Sequence, residues 1–435
     1  MSFLLILLAP LIGILVGLIP GLGASLMMLL LYPFLLKFEP AIIILFYAVM
    51  INARDFSGSV SAIGFGLCGE MNSIPALKER KLIIENNQQL SALKNTMIGS
   101  LFGTMVGSIL LYFSVMYSVN YPFFLRSDIL AVFISIASLM LIFWTSNRYY
   151  INICLIFFGL LLGSIGFNTI KNQEFLTFGN SYLSGGIPLL PFLFGIYVLP
   201  KMIEIFIDLK IKNEISIYSK KKINILNLKT LFRGSIIGSI CGLIPYVGTN
   251  ISSNIAHFIE NNFYKKNNVK HGLIRLNAAE TANNAGQITM LIPLLILGIG
   301  LQPSELILLE LIESKGWLAH SHVDAKFLFL LLISLIIGSL IAGFFCYNIV
   351  KKLLSFFYKN YKIVVILLIL ISVVNIFYLG YTADQIVYFI FIFVISSIIG
   401  LIFIKKIDFA PLIIMFLLQD SFSNLARILP QLYGF

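Results

Sequence analysis

Apolar residues come in long runs separated by short polar clusters, and the period within the runs is not two. Phe327 to Val350, Ile363 to Leu379 and Ile386 to Ile404 are each long enough to cross a hydrocarbon core of about 30 Å as helices. The lack of strict alternation argues against an outer-membrane barrel. The pattern predicts a hairpin of two apolar segments (3–19 and 22–36), an interrupted segment (41–75), and spans near 95–117, 128–145, 150–167 and 186–207. After a lysine-rich linker the order recurs: a hairpin (234–247 and 249–263), an interrupted segment (273–301), and spans near 326–350, 362–379, 384–404 and 409–427. The expected fold is an all-α polytopic membrane protein of about 12–14 hydrophobic helical segments.

The recurrence is also written in the residues. Gly17-Leu18-Ile19-Pro20-Gly21-Leu22-Gly23 returns 225 positions later as Gly242-Leu243-Ile244-Pro245-Tyr246-Val247-Gly248, and the same offset lays Asn52-Ala53-Arg54-Asp55 over Asn277-Ala278-Ala279-Glu280. Ile98-Gly99-Ser100-Leu101 matches Ile337-Gly338-Ser339-Leu340 at an offset of 239, which implies an insertion of about fourteen residues in the second copy. The division expected is a first transmembrane repeat (1–207), a basic cytoplasmic linker (208–232) and a second repeat (233–435). Loops 78–94, 208–233, 261–275 and 351–362 are rich in Lys and Arg, so the positive-inside rule places them in the cytoplasm. Loops holding Lys37 with Glu39, Arg126 with Asp128, Lys171 with Glu174, and the acidic stretch 302–325 are assigned outward. That alternation requires an odd number of crossings between equivalent points, so the repeats are expected to have inverted topology.

Composition agrees with a membrane protein: 59% of residues are hydrophobic and only 11% charged. The net charge of +11 is spread over short loops, so it reads as topology and not as a nucleic-acid surface. Cys68, Cys154, Cys241 and Cys346 lie in apolar segments without metal-knuckle spacing and read as packing residues. The first positive charge is Lys37, so the N-terminal segment is expected to be retained and not cleaved as a signal peptide. His320 and His322 lack a third metal ligand, and His257 and His271 read as surface residues beside a basic loop. No phosphate loop ending in Lys and Ser or Thr occurs, nor a His-Glu-x-x-His or Gly-x-Ser-Gly motif, so no enzyme activity is expected.

Helix-breaking Pro and Gly survive in a bilayer only where protein or a water-filled cavity surrounds them. The restarts after them, at Gly21, Gly23, Ala24 and Ser25 and at Gly248, Thr249 and Asn250, offer free N–H groups to an anion such as a carboxylate. Asn52, Arg54, Ser57, Gly58 and Ser59 in one interrupted segment and Asn283 and Asn284 in the other complete the substrate-binding set. Asp55 and Glu280 occupy equivalent positions and are assigned to a coupling ion, Na+ or H+. Arg54 has Ala279 as its counterpart, so the site is asymmetric; the bland alternative is that Arg54 merely neutralises a carboxylate and the amides tie helices together.

Three stretches together resemble the large membrane subunit of tripartite tricarboxylate transporters, the TctA family. They are Gly17 to Gly23 with the run ending Tyr32-Pro33; Phe56-Ser57-Gly58-Ser59-Val60-Ser61-Ala62-Ile63; and Ala279-Glu280-Thr281-Ala282-Asn283-Asn284-Ala285 followed by Ile292 to Ile299. The resemblance implies secondary transport of a carboxylate by sodium or proton symport in a bacterial inner membrane, with no tightly bound cofactor. It also implies two partners, a small TctB-like membrane subunit and a periplasmic TctC-like binding protein. A homo-oligomer is a further possibility. The chain departs from the family where Gly66-Leu67-Cys68-Gly69 replaces Asn-x-Pro-Gly, where Gly298-Ile299-Gly300-Leu301 replaces Gly-Ile-Pro-Gly, and where Arg54-Asp55 replaces an uncharged pair. An exporter or channel of the same architecture, and an intramembrane enzyme or lipid-handling scaffold, are the alternatives left open at this level.

Overall fold

A computed structural model describes residues 2–18, 23–65, 71–120, 148–168, 173–200, 227–244, 248–266, 268–317, 323–348, 383–403 and 409–417, with a few isolated positions besides. The predicted span 128–145, the hairpin tips 19–22 (with Gly21) and 245–247, linker residues 208–226, Gly66 to Gly69, His320, His322 and nearly all of 362–379 lie outside them.

The apolar runs fold as helices. The first half contains α1 (Ser2–Leu18), α2 (Ala24–Leu35), α3 (Pro40–Phe65), a 3-10 turn (Met71–Ser73), α4 (Ile74–Glu85), α5 (Gln89–Asn120), α6 (Tyr149–Gly163), α7 (Ser181–Ser184) and α8 (Leu189–Leu193), which runs into a π-turn at Phe194–Val198. The second half contains α9 (Leu228–Cys241), α10 (Gly248–Phe263), α11 (Val269–Thr289), α12 (Leu291–Leu297), α13 (Pro303–Glu313), α14 (Ala325–Asn348), α15 (Ala383–Phe403) and α16 (Ala410–Leu417). Among the described residues, strand is confined to one antiparallel hairpin, Gly166–Asn168 with Gln173–Phe175. Four of these helices, over Pro40–Gly64, Gln89–Ser118, Ala325–Cys346 and Asp384–Phe403, are long and apolar enough to cross a membrane. The chain is an all-α polytopic membrane protein.

Local signals set the boundaries. The side chains of Asn227 and Asn268 accept hydrogen bonds from the backbone N–H groups of Thr230 and His271, capping α9 and α11. Gly298, with φ +66°, ends α12 in the left-handed conformation that glycine adopts without steric cost.

Two helices form the centre, α3 and α11, and they share part of their sheathing, although α10 packs along α11 where α2 barely meets α3. Helix α1 runs along α3 and α9 along α11; α14 packs on α3 and α5 on α11; α1 also meets α14, as α9 meets α5. The connectors cross over, so α4 packs on α10 and α11, while α13 packs on α2 and α3. Around this centre, α15 carries Val387, Phe391, Ile398 and Ile402 on an exposed face, as a helix bounded by hydrocarbon requires.

Several expectations are corrected. Within the interrupted segments the helices run through the polar clusters, α3 as far as Phe65 and α11 as far as Thr289. No proline lies in either cluster, and the polar side chains bond back to their own helix: Ser57 Oγ to the Arg54 carbonyl (2.9 Å), Thr281 Oγ1 to that of Asn277 (2.7 Å) and Asn284 Nδ2 to that of Glu280 (3.1 Å). The acidic stretch 302–325 is not a simple loop, because Leu306, Ile307, Leu308, Leu311 and Ile312 bury α13 against the bundle. Its Glu305 is buried, with Oε2 accepting the Leu301 N–H at 2.6 Å. His257 is not a surface residue but is buried against Glu79, and His271 is half-buried. Cys241 and Cys346 are buried as expected, whereas Cys154 lies exposed on α6. The span expected at 150–167 stops at Gly163, where the strand hairpin takes over.

Helices approach this closely because glycine stripes let backbones meet. Gly99, Gly103 and Gly107 of α5 face Asn277, Thr281 and Ala285, while Gly234, Gly238 and Gly242 of α9 face Ala278, Ala282 and Gly286. A Cβ on Gly103 would run into the Thr281 carbonyl oxygen, and one on Gly238 into that of Ala282. Alanine gains about 1 kcal/mol over glycine in a helix, but forced overpacking costs about 1–3 kcal/mol, and rigid backbone on the far side leaves no room to relax. Gly103→Ala and Gly238→Ala should therefore lower the melting temperature of the purified protein. Gly185→Ala, whose nearest neighbour would be 3.7 Å away, should leave it unchanged.

Candidate functional site

The glycine contacts define two sides of α11, and α10 packs along a third. Residues 277, 281 and 285 face α5, and 278, 282 and 286 face α9. Glu280, Asn283, Asn284 and Gln287 recur at three- and four-residue spacing on the remaining surface of the helix, where Glu280 meets α3. All four are buried, and Ser59 of α3 donates to Glu280 Oε2 at 2.5 Å.

On α3, Asp55 Oδ1 lies 3.4 Å from the Arg54 guanidinium and accepts from Asn72 Nδ2 at 3.3 Å; Ser73 Oγ in turn donates to Asn72 Oδ1. Asp55 and Glu280 lie within electrostatic reach of each other. Two carboxylates, one guanidinium, hydroxyls and amides thus converge between α3 and α11, sealed from solvent.

The predicted site residues differ in how they are used. Asn52 is bonded at both ends, with Nδ2 donating to Ser339 Oγ (2.6 Å) and Oδ1 accepting from Thr104 Oγ1 (3.1 Å), so it ties α3 to α14 and α5. Ser57 turns back to the Arg54 carbonyl, and Gly58 lies against Ser73. Arg54 is paired within the protein by Asp55. The other group is open: among the described residues Asp55 Oδ2, Glu280 Oε1, Asn284 Oδ1 and both amide atoms of Asn283 and of Gln287 have no hydrogen-bond partner. Buried polar atoms are rarely left so, and an atom without a protein partner marks a place for water, an ion or a ligand.

The hairpins end beside this cluster. Gly17, near the end of α1, lies against Arg54 and Ser57, and Gly242, just past α9, lies against Gly286 and Thr289. Gly23 caps α2, whose first residues are buried Ala24 and half-buried Ser25. Gly248 and Thr249 open α10 and are both buried, with Asn250 next in the helix. Ser252, one turn on, donates to the Ala282 carbonyl at 3.3 Å and so fixes that helix start against α11.

Sequence reasoning missed a second buried cluster. Arg275 donates twice to Glu79, Nε to Oε1 at 2.6 Å and Nη2 to Oε2 at 2.8 Å, and uses Nη1 on the Tyr264 carbonyl. His257 Nε2 lies 2.8 Å from Glu79 Oε1. The three residues come from α4, α10 and α11, so this cluster joins the connector of the first half to the second. Nearby, Arg233 grips Glu260 with the same two-pronged geometry and lies over the Phe263 ring. In sequence Glu79 is one acid in a basic run, and its partners lie 178 and 196 positions away, so no local signal marks it.

Buried ionisable and polar groups on two packed helices, inside a bundle of apolar helices, are features that membrane transporters share. The chain belongs to the tripartite tricarboxylate transporter TctA family, whose model matches residues 3–415. It is 28% identical over 309 residues, 67% of its own length, to an uncharacterized 52.8 kDa protein in the TAR-I ttuC' 3' region of Agrobacterium vitis. The match spans 60% of that relative's length. No solved structure matches the chain.

Burial alone would raise the Glu79 carboxyl, but hydrogen bonds from His257 and Arg275, with the Arg275 charge, hold it below its ordinary value of 4.5. A carboxylate depressed in the folded state contributes stability above its unfolded value and loses it as pH falls through the folded one. The melting temperature of the wild type should therefore fall more steeply below pH 4.5 than that of Glu79→Gln. Arg275→Ala strands a buried carboxylate and should cost about 3–5 kcal/mol at neutral pH, part of which Glu79→Gln restores.

Proposed function

We propose that the chain is the large permease subunit of a binding-protein-dependent secondary transporter of the bacterial inner membrane, importing an organic di- or tricarboxylate by sodium or proton symport. One observation carries this: the open carboxylate oxygens Asp55 Oδ2 and Glu280 Oε1 lie on two facing buried helices beside the ends of two hairpins. Oxygen atoms sealed from water and lacking a donor suit a hard cation or a proton. The starts of α2 and α10, at Gly23–Ala24–Ser25 and Gly248–Thr249–Asn250, suit the carboxylate of the cargo. Asn283 and Asn284, between the carboxylates and the start of α10, complete its contacts. Arg54, Ser57, Gly58 and Ser59 shape the opposite wall; Arg54 moderates the charge of Asp55 as much as it attracts the substrate.

On this reading a small TctB-like membrane subunit and a periplasmic TctC-like binding protein complete the transporter, and the binding protein delivers the cargo. The chain performs no covalent chemistry. The gradient supplies the energy through a cation that binds only together with the acid.

Uptake of labelled citrate into vesicles containing the assembled transporter tests the assignment, under imposed sodium or proton gradients. Asp55→Asn, Glu280→Gln and Asn284→Ala should each lower coupled uptake by about tenfold or more, the consequence of losing one buried polar contact with charge. Unchanged ion-coupled uptake in Glu280→Gln and Asn284→Ala means that the site lies elsewhere. The gradient that supports uptake identifies the ion.

A further inference from the structure

The polar side of α11 has two chemically different parts. Glu280, met by Ser59, is the charged part. One and two turns on stand Asn283 and Gln287, neutral amides that are 0% and 1% exposed. Neither the nitrogen nor the oxygen of either amide has a partner among the described residues. A buried amide without hydrogen bonds opposes folding, and two successive ones on one helix face do so twice. Asn52 shows the ordinary outcome in this same bundle, bonded at both ends by Ser339 and Thr104.

Resting on the carboxylate-transport reading, we propose that Asn283 and Gln287 form a neutral recognition subsite for the hydroxyl-bearing end of a hydroxylated carboxylate. The amide N–H groups donate to carboxylate oxygens. A bare carboxylate would leave the amide oxygens open, so the ligand must also bring a donor, and a hydroxyl beside the carboxylate is the simplest. Gln287 lies a turn beyond the Asn283-Asn284 pair, next to Gly286, against which the end of α9 packs. It therefore reads the part of the cargo farthest from Glu280, and a site built to bond a hydroxyl rejects analogues that lack it.

The test uses the full-length purified chain at fixed sodium, with citrate as probe and propane-1,2,3-tricarboxylate as the analogue lacking the hydroxyl. Gln287→Met and Asn283→Leu replace open amides by hydrocarbon of similar size. Their ligand-free melting temperatures should match or exceed the wild type, whereas Asn52→Leu should melt lower. The citrate concentration giving half the maximal stabilisation should rise about tenfold in both subsite variants, and the wild-type preference for citrate over the analogue should vanish. The proposal is overturned if Gln287→Met melts as low as Asn52→Leu, which would mean a structural partner, or if it keeps the wild-type response and preference. Loss of the sodium response in Glu280→Gln beside an intact citrate response in Gln287→Met sinks the subsite and leaves the transport reading standing. A wild type that responds to neither acid sinks the carboxylate reading; the ligand-free melting temperatures then decide alone whether the amides are open.

Discussion

Helix α11 carries Asn277, Glu280, Thr281, Asn283, Asn284 and Gln287, all buried, through a bundle of apolar helices. In hydrocarbon each such group left open costs several kcal/mol, so the helix has to be sheathed on every side by protein. Glycine makes the sheath possible: with Gly99, Gly103 and Gly107 on one flank and Gly234, Gly238 and Gly242 on another, two backbones close over the helix and exclude lipid. Once those flanks are filled, the polar side chains are left the sides that face α3 and α10. Helix α1 does the same for α3 through Gly13 and Gly17. The facing of Glu280 and Ser59 is thus a consequence of small residues placed on quite different helices.

The duplication helps to show how the asymmetry arises. The 225-residue offset would put the neighbour of Gly238 at Arg275, the counterpart of Met50, which Gly13 meets; it falls at Ala282, two helical turns further on. The hairpin of the second half therefore lies deeper along its polar helix than that of the first. That slip releases Arg275 from the hairpin contact and leaves it for Glu79, and it brings the start of α10 level with Gly286 and its neighbours, beyond Glu280.

Much of this was legible in the chain. Apolar runs gave α1, α2, α10, α14 and α15 to within a few residues, and Asp55 and Glu280 stood out because ionisable groups inside such runs are expensive. What the pattern could not give was the bonding state of each polar residue. Asn52 and Asn283 are the same residue type and both lie buried in polar helices, yet one is satisfied by Thr104 and Ser339, 52 and 287 positions away, and the other is open among the described residues. The same distance effect hid His257, whose partner arrives from α4 on the opposite half. Glu305 misled for a different reason: in a run of acids it reads as solvated, whereas its carboxylate folds back on the Leu301 N–H and lets the apolar face of α13 bury.

The two connectors cross to opposite halves, but they are held there by unequal means. Helix α4 is fastened by a two-pronged ion pair with an imidazole beside it. Helix α13 is fastened by apolar packing, by a neutral bond between Tyr47 and Ser304 at 2.9 Å and, just past its end, by the Lys315 ammonium on the Phe38 carbonyl at 2.6 Å, with Glu305 Oε1 lacking a partner among the described residues. Separating a buried bidentate pair strands two charges and costs several kcal/mol, while parting two hydroxyls costs about 1 kcal/mol. A rearrangement that must loosen one connector at a time meets a much higher polar barrier at α4 than at α13. Two halves built from one repeated plan therefore do not give two equivalent ways of opening the space between α3 and α11, and the difference comes from Arg275 and His257 standing where the first half has Met50 and Tyr32.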